Sequence, residues 1–255
     1  MTASENTNYS TPVSETLKMR VSIRNYNDQP IPDEMLREII NSARRSPTSS
    51  NMQAYSFVVV RNPETKKILA ESAGGQKHIE TCDVFLAICA DTRLLEKACE
   101  MHGTELAKNL ENFLVASVDA ALVGMSVATV AESFGLGHVM IGGMRNHPKQ
   151  NAETLGLPDG VYIVYGMCLG FPDTETIPPQ KPRLPEELII HYEQYDSSDP
   201  SEKLAEHDKE LAEHYESLGR NLSKDAWTGV MSNKFSTPKR PDLRSTLESM
   251  GFNLD

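Results

Sequence analysis

The spacing of apolar residues along the chain predicts several helices around a small number of strands. Residues 30–46 carry an apolar stripe at helical spacing, and residues 201–219 carry a thinner one among many charges. We expect the helix over residues 30–46 to end at Ser46, because the residue before Pro47 is driven away from helical backbone angles. The first stripe consists of Ile31, Met35, Leu36, Ile39, Ile40 and Ala43, and the second of Leu204, Leu211 and Leu218.

Four short apolar runs predict strands, at residues 55–60, 83–91, 137–143 and 161–170. The second run is apolar along nearly its whole length, so we expect it to be covered on both faces. Helical patterns lie among the strands, at residues 14–20, 62–75, 92–103 and 104–135. Because helices and strands do not alternate regularly, the pattern favours an α+β domain over a doubly wound sheet.

One segment, residues 112–137, is long enough and apolar enough to be compared with a membrane span. Asp119 and Glu132 fall inside it, and most of its residues are small. These features favour a buried core helix or a helix at a dimer interface. We therefore expect no membrane partner.

The amino-acid composition changes along the sequence and divides the chain into three parts. Residues 1–13 are polar and rich in Ser and Thr, which predicts a mobile N-terminal arm. We expect a core domain over residues 14–190 and a helical C-terminal extension over 191–255. In the charged helix of that extension, His207 and His214 share one face, and we expect both to be solvated.

Charge and cysteine usage narrow the classes of function. The net charge of −11 argues against nucleic acid and anionic membranes as partners, since both require a basic surface. The four cysteines have no spacing typical of a metal site, and no signal peptide is recognisable. We expect a reduced, cytoplasmic protein without a metal. The motifs of serine hydrolases, zinc proteases and P-loop enzymes are absent, as is a dinucleotide-binding G-x-G-x-x-G.

Two short segments are candidates for binding an anion. Lys181 and Arg183 flank Pro182, and side chains two apart in an extended backbone point the same way. For Lys181 and Arg183 alone, an ordinary solvated basic patch in a linker is the favoured interpretation, and the second segment is also unremarkable alone. Together, in an acidic protein, they indicate one phosphate held by several cations and a hydroxyl. The second segment alternates in the same manner and contributes Arg20, Ser22 and Arg24.

A cluster of short polar residues, SPTSSNMQ at 46–53, precedes the first predicted strand. By itself it is a typical serine-rich turn that satisfies its own backbone. Two glycine pairs, at 74–75 and 142–143, precede Gln76 and, one residue further on, Arg145. They allow close approach of a ligand but are weak signals alone.

Taken in order, these blocks resemble the FMN-dependent nitroreductase superfamily, and most closely its group A, the NADPH:flavin/nitro oxidoreductases. The resemblance extends from about residue 16 to the C-terminus, and DAW at 225–227 matches a D-x-W in the family's extension. The blocks that carry it are RVSIRNY, SPTSSNMQAYS, GGQKH, AESFGLGHVMIGGMRN, GMCLGFP and KPRLP.

The resemblance implies a mainly antiparallel sheet flanked by helices, in a homodimer whose C-terminal extension wraps the partner subunit. It implies FMN contacts in three groups. The phosphate and ribityl contacts are Arg20, Ser22, Arg24, Lys181 and Arg183, and those along the ring edge are Thr48, Ser49, Ser50 and Gln53. The remaining flavin contacts are Gln76, Ile141, Gly142, Gly143 and Arg145.

Two departures from the family pattern concern the cofactors. Group A members usually begin the first block with H-R-S, whereas this chain has Arg20-Val21-Ser22, so Arg20 stands in the place of the His. The family's NADPH-selecting arginine corresponds to Leu218, with Arg220 and Lys224 close by in sequence as candidate nucleotide contacts. The choice between NADPH and NADH therefore stays open.

The implied activity is an NAD(P)H-dependent, FMN-containing oxidoreductase. In ping-pong turnover, hydride passes to flavin N5 and two electrons then pass to a small flat electron-poor oxidant such as a nitroaromatic, a quinone or free flavin. No side chain is expected to act as the catalyst. Two alternatives remain: another chemistry of the same superfamily, such as reductive dehalogenation or dehydrogenation, and a flavin-binding protein without turnover.

Overall fold

The computed structural model of the chain describes residues 9–220 and 225–255. They form two compact units. The first contains the chain up to Pro178 together with Asp242–Asp255, and the second is Pro179–Pro241.

The first unit is built on a four-stranded sheet in which every neighbouring pair is antiparallel. The strand order is β1-β2-β4-β3. All four predicted strands are confirmed, and so is the α+β class with an antiparallel sheet. The strands are β1 (Tyr55–Val60), β2 (Val84–Asp91), β3 (Gly137–Ile141) and β4 (Val161–Gly170).

The helices of the first unit are α1 (Pro12–Met19), α2 (Asp33–Ala43), α3 (Pro63–Ser72), α4 (Lys77–Thr81), α5 (Arg93–Met101), α6 (Leu110–Ser133), α7 (Pro148–Leu155) and α10 (Leu243–Glu248). The second unit holds α8 (Ser201–Ser217) and α9 (Thr228–Phe235). The sequence reading missed α4, α7, α9 and α10, which are all short.

Two predicted helix starts need correction. The long helix was expected from residue 104 but begins at Leu110, because the Asn109 side chain accepts a hydrogen bond from Asn112 N and caps it. The first helix begins at Pro12, two residues early, since Thr11 and Ser14 form a capping box. Residues 12 and 13 of the expected arm are therefore helical, and residues 1–8 lie outside the described part.

The sheet is covered on both faces, as the apolar run of β2 predicted. Val84, Leu86 and Ile88 pack on one side with α2 and α6, whereas Phe85 and Ala87 pack on the other side with α3. Every residue of β2 is buried.

The long helix α6 satisfies the length and composition of a membrane span, yet it is a core element. Eight of its residues are buried, among them Val123, Gly124 and Val127. Gly124 permits a very close approach to the sheet, because a Cβ atom there would lie 2.0 Å from the Tyr165 hydroxyl. The interpretation of residues 112–137 as a buried core helix is thereby confirmed.

In the second unit, the buried residues of α8 differ from the predicted leucine stripe: they are His207, Asp208 and Leu211. His207 is buried and Leu211 lies beside it, so the expectation that His207 is solvated is wrong. Asp208, also buried, accepts hydrogen bonds from the backbone N–H groups of Trp227 and Thr228 at 2.6 and 2.8 Å. The D-x-W block is thus joined to α8.

Candidate active site

The polar loop before β1 has an unusual backbone. Ser50, Asn51 and Gln53 all have positive φ, at 48°, 58° and 53°. Residues other than glycine adopt this left-handed region rarely, and three of them in four positions is a local strain. A loop of this kind persists only where the surrounding structure holds it.

Two side chains of α6 hold this loop. The Asp119 carboxylate accepts hydrogen bonds from Ser49 N at 3.0 Å and from Ala54 N at 3.3 Å. Near the loop's start, the Ser46 hydroxyl donates to Ser126 Oγ at 2.6 Å. The apolar helix therefore carries polar groups at the points where the loop crosses it.

The loop leaves donors unused. Within residues 9–220 and 225–255, the hydroxyls of Thr48, Ser49 and Ser50 have no hydrogen-bond partner, whereas Gln53 Nε2 donates to Asn51 at 3.3 Å. The loop borders a groove of about 530 Å³ that is lined on its other side by Leu114, Val118 and Leu122 of α6. Unused hydroxyls beside an apolar groove fit the polar edge of a planar ligand.

The segment 20–24 runs extended beside β3. Ile23 N donates to His138 O at 2.9 Å, and the Ile23 side chain is buried against Gly137. Arg24 is exposed, and its Nη1 donates to Ser22 O at 3.4 Å. Burial lowers the pKa of His78, and the positive charge of Arg24 lowers it further. Arg24 therefore lies near α4, the helix that contains His78.

Arg20 is joined to a buried acidic group. Its Nε lies 3.7 Å from Glu132 Oε1, and the same oxygen lies 3.0 Å from His138 Nε2. His138 is 1% exposed and the Glu132 side chain 11%. The arginine that replaces the family's histidine is thus held by α6 and β3.

The third predicted group gathers at the end of β3. Gly143 is essential for the packing, because a Cβ there would lie 2.6 Å from Gln76 Nε2 and 2.7 Å from Ala73 O. Gln76 Nε2 donates to that same carbonyl at 2.9 Å. Ile141 is buried, and Gly142 lies against the Arg145 guanidinium.

Arg145 faces the sheet. The register between β2 and β4 shifts after Ile88, so that Val164 is an extra residue on β4. The Arg145 guanidinium donates to the Val164 carbonyl. Arg145 therefore has a structural partner in addition to any contact with a flavin.

Sheet topology brings the loop and the β3 end to one side of the molecule. β1 and β4 are both antiparallel to β2, and β3 is antiparallel to β4, so β1 begins where β3 ends. Three strand spacings, about 14 Å in all, separate the two edges. Residues 48–53 and 141–145 thus occupy the same end of the sheet. The 20–24 segment is hydrogen-bonded beside the first residues of β3, through Ile23 N and His138 O, and so lies toward the other end of that strand. The polar loop and the turn after β3 fit the planar ring of a cofactor such as FMN.

Lys181 and Arg183 belong to the second unit. With Pro182 they border a cavity of about 820 Å³, whose wall includes Tyr215 and Trp227. Lys181 Nζ lies 5.5 Å from the centre of the Tyr215 ring. Both cations therefore line this cavity, and their joint binding of a phosphate stays a prediction.

The candidate nucleotide contacts also belong to this unit. Leu218 follows α8 and is 41% exposed, and Arg220 is exposed, with its backbone N–H bound to Tyr215 O at 2.9 Å. Lys224 lies outside the described residues. In the described part of the chain, no group of three or more His, Cys, Asp or Glu side chains is placed to hold a metal ion.

The sequence reading missed the supports of the site. In the sequence, Asp119 and Glu132 stand out only as charges within an apolar segment, and His138 and His78 carry no distinguishing pattern. A charged residue on the buried face of a helix requires partners, so these two acidic residues carried a usable signal. Their partners could not be identified without the fold.

Comparison with known protein families gives two adjacent matches. The model of the family described as "Nitroreductase family" matches residues 17–171. The model described as "Nitroreductase family, C-terminal domain" matches residues 181–255.

Relatives of similar length agree with this family assignment. The chain is 36% identical to an oxygen-insensitive NADPH nitroreductase of Salmonella typhimurium, over 94% of this chain and 98% of that protein. It is 33% identical to an FMN reductase [NAD(P)H] of Bacillus subtilis, over 95% and 98%.

Solved structures show the same fold. NfrA1 of B. megaterium has a TM-score of 0.91 at 36% identity, covering 95% of this chain and all of the other. The NADPH:FMN oxidoreductase of Vibrio harveyi, complexed with NAD+, has a TM-score of 0.85 at 32% identity, covering 94% and 98%.

Proposed function

The chain belongs to the nitroreductase family, and from this premise we propose that it is an NAD(P)H-dependent oxidoreductase that binds FMN and reduces nitroaromatics, quinones or free flavin. The observation that carries the proposal is the strained loop 48–53, whose hydroxyls are unused and border a groove. When bound, FMN supplies the redox chemistry by taking hydride from NAD(P)H and passing two electrons to the oxidant.

The residues of the chain bind and orient the cofactor. We assign the phosphate and ribityl chain to the predicted cations Arg20, Arg24, Lys181 and Arg183 with the Ser22 hydroxyl. The ring edge is assigned to Thr48, Ser49, Ser50 and Gln53, and the remaining flavin contacts to Gln76, Ile141, Gly142, Gly143 and Arg145. Preset donors of this kind stabilise developing charge without reorganising.

We further propose a homodimer. On α6, Leu110, Leu114, Val118 and Leu122 are 42–53% exposed and recur every fourth residue, which makes an apolar stripe. The groove beside Thr48 and Ser49 continues this stripe. A second copy packed here covers the loop and shields the ring edge from water.

The remaining proposals concern organisation and location. We propose that residues 14–190 bind FMN and that 191–255 form the extension that wraps the partner. A cytoplasmic location agrees with four cysteines that are all free thiols. Arg220 is the candidate for contact with the nucleotide's 2′-phosphate, with Lys224 beside it in sequence.

The test uses the purified protein. We expect a yellow protein whose visible absorbance is bleached anaerobically by NADPH or NADH and restored by a nitroaromatic or a quinone. Comparing the two bleaching rates for wild type and Arg220→Ser identifies the preferred nucleotide. A protein that stays colourless after incubation with FMN contradicts the proposal. Bleaching without recovery leaves a flavoprotein that accepts hydride from the nucleotide but does not reduce the tested oxidants.

A further inference from the structure

Asp119 is an acidic residue in an apolar environment. It is 1% exposed, and its neighbours on the buried face of α6 are Ala116, Ala120 and Val123. Burying an ionised carboxylate is costly unless its oxygens accept hydrogen bonds. The role of this residue is therefore read from what its two oxygens bind.

Both oxygens bind backbone amides of one loop, and these amides enclose the strained part. Oδ1 accepts from Ser49 N, and Oδ2 accepts from Ala54 N. The three residues with positive φ, Ser50, Asn51 and Gln53, all lie between these two positions. Hydrogen bonds to a charged acceptor are stronger than neutral ones, so they can offset the strain of left-handed backbone.

We propose that Asp119 is a positioning residue, which fixes the 49–54 loop in the conformation that receives the flavin. This inference rests on the proposed function. Asp119 acts through the loop: its oxygens take up backbone N–H groups and leave the hydroxyls of Thr48, Ser49 and Ser50 available to the ligand. Without it, the strain favours a relaxed loop, and FMN must then restore the bound conformation at the expense of affinity.

The primary variant is Asp119→Asn, which keeps the size of the side chain. The amide provides one acceptor, and its NH2 group faces the second backbone N–H, so one end of the loop is released. Asp83→Asn is the matched control, because Asp83 also accepts a backbone hydrogen bond in the first unit, from Ile31 N at 2.9 Å. Its other hydrogen-bond partner is Arg61, which is not a predicted flavin contact.

A second substitution separates positioning from general stability. Asn51 is not a predicted flavin contact, and glycine accepts its φ of 58° at no steric cost. Asn51→Gly therefore removes part of the strain that Asp119 opposes. If Asp119 positions the loop, Asn51→Gly recovers FMN affinity in the Asp119→Asn background and changes it little in wild type.

The measurements are FMN release from the holoprotein on dilution, followed by flavin fluorescence, and amide hydrogen exchange of residues 49–54. For Asp119→Asn we expect about a ten-fold rise in the FMN Kd, equivalent to about 1.4 kcal/mol, with faster exchange at Ser49 and Ala54. Asp83→Asn should lower the urea midpoint without changing FMN release. The double variant should return to within about three-fold of the wild-type Kd.

Each other outcome has a clear consequence. Unchanged exchange and FMN release in Asp119→Asn overturn the inference and leave the proposed function intact. Equal loss of FMN in Asp119→Asn and Asp83→Asn, without recovery by Asn51→Gly, also overturns it, since the effect is then one of stability alone. Wild-type protein that binds no FMN overturns the proposed function and this inference together.

Discussion

Glu132 Oε1 lies 3.7 Å from Arg20 Nε, joining the last turn of α6 to the residue that stands in place of the family's histidine. His138 Nε2 lies 3.0 Å from the same oxygen. The side chains of Glu132 and Arg20 are 11% and 24% exposed, so water screens their attraction only in part. This pair links the core to a predicted cofactor contact.

Replacing Glu132 by Gln should therefore destabilise the protein and weaken FMN binding. Removing the charge abolishes the ion pair between Arg20 and this largely buried carboxylate, for which we expect a loss of about 2 kcal/mol in the free energy of unfolding. Urea denaturation measures it. Glu248→Gln is the control, because its ion pair with Arg244 has both side chains well exposed and should contribute little. Equal losses in both variants contradict the assigned role of Glu132.

His78 should make stability depend on pH in the mildly acidic range. Burial, and secondarily the charge of Arg24, lowers the pKa of His78 below its usual value of 6.5. In the window between these two pKa values the unfolded state binds more protons, so stability rises with pH and reaches its full value above about pH 6.5. Below the lowered pKa the whole penalty of keeping the imidazole neutral applies.

The variant His78→Gln removes this penalty. Wild type should lose stability from this imidazole as the pH falls from about 7.5 to about 5, whereas the variant should not. The free energy of unfolding of the variant minus that of wild type should therefore increase, and urea denaturation at both pH values measures it. A difference between the two proteins that is the same at both pH values shows that His78 is not responsible. The comparison cancels the titration of all other groups.

The apolar stripe of α6 predicts the outcome of a charge insertion. Val118→Glu places a carboxylate at a position that is 53% exposed, so the monomer should tolerate it while a dimer interface should not. We expect sedimentation velocity to show a dimer for wild type and a monomer for the variant. Leu94→Glu, on α5 and 67% exposed, is the matched control and should remain dimeric. A dimer that survives Val118→Glu places the interface elsewhere.

The sequence predicts those features of the fold and the site that depend on residues close together in the chain, and it fails for those that depend on residues far apart in the chain. The strands and α2 follow from local spacing, because their buried residues repeat with the period of the element. The left-handed loop at Ser50 and Asn51 could not be predicted, since neither is a glycine and the bonds that hold it come from Asp119, about 70 positions away in sequence. The role of Arg145 depends on a bulge in β4, and register shifts of that kind leave no local pattern.

Gly124 provides a test of the packing of α6 on the sheet, because tight packing reverses the sign of the stability change expected for Gly124→Ala. In the interior of an exposed helix, replacing Gly by Ala stabilises by about 0.5–1 kcal/mol. At Gly124 the added Cβ would lie 2.0 Å from the Tyr165 hydroxyl and 2.8 Å from Ile88 Cδ1. These atoms belong to the packed core and cannot move away freely.

We therefore expect Gly124→Ala to lower the free energy of unfolding by about 1–3 kcal/mol, the usual range for overpacking. Tyr165→Leu removes the hydroxyl and ring carbon that the Cβ would meet, so a double-mutant cycle should show favourable coupling between the two substitutions. A stabilised Gly124→Ala, or strict additivity with Tyr165→Leu, is incompatible with this contact. In that case α6 lies farther from β4 than described, and the anchoring of the loop by Asp119 and Ser126 has to be reconsidered with it.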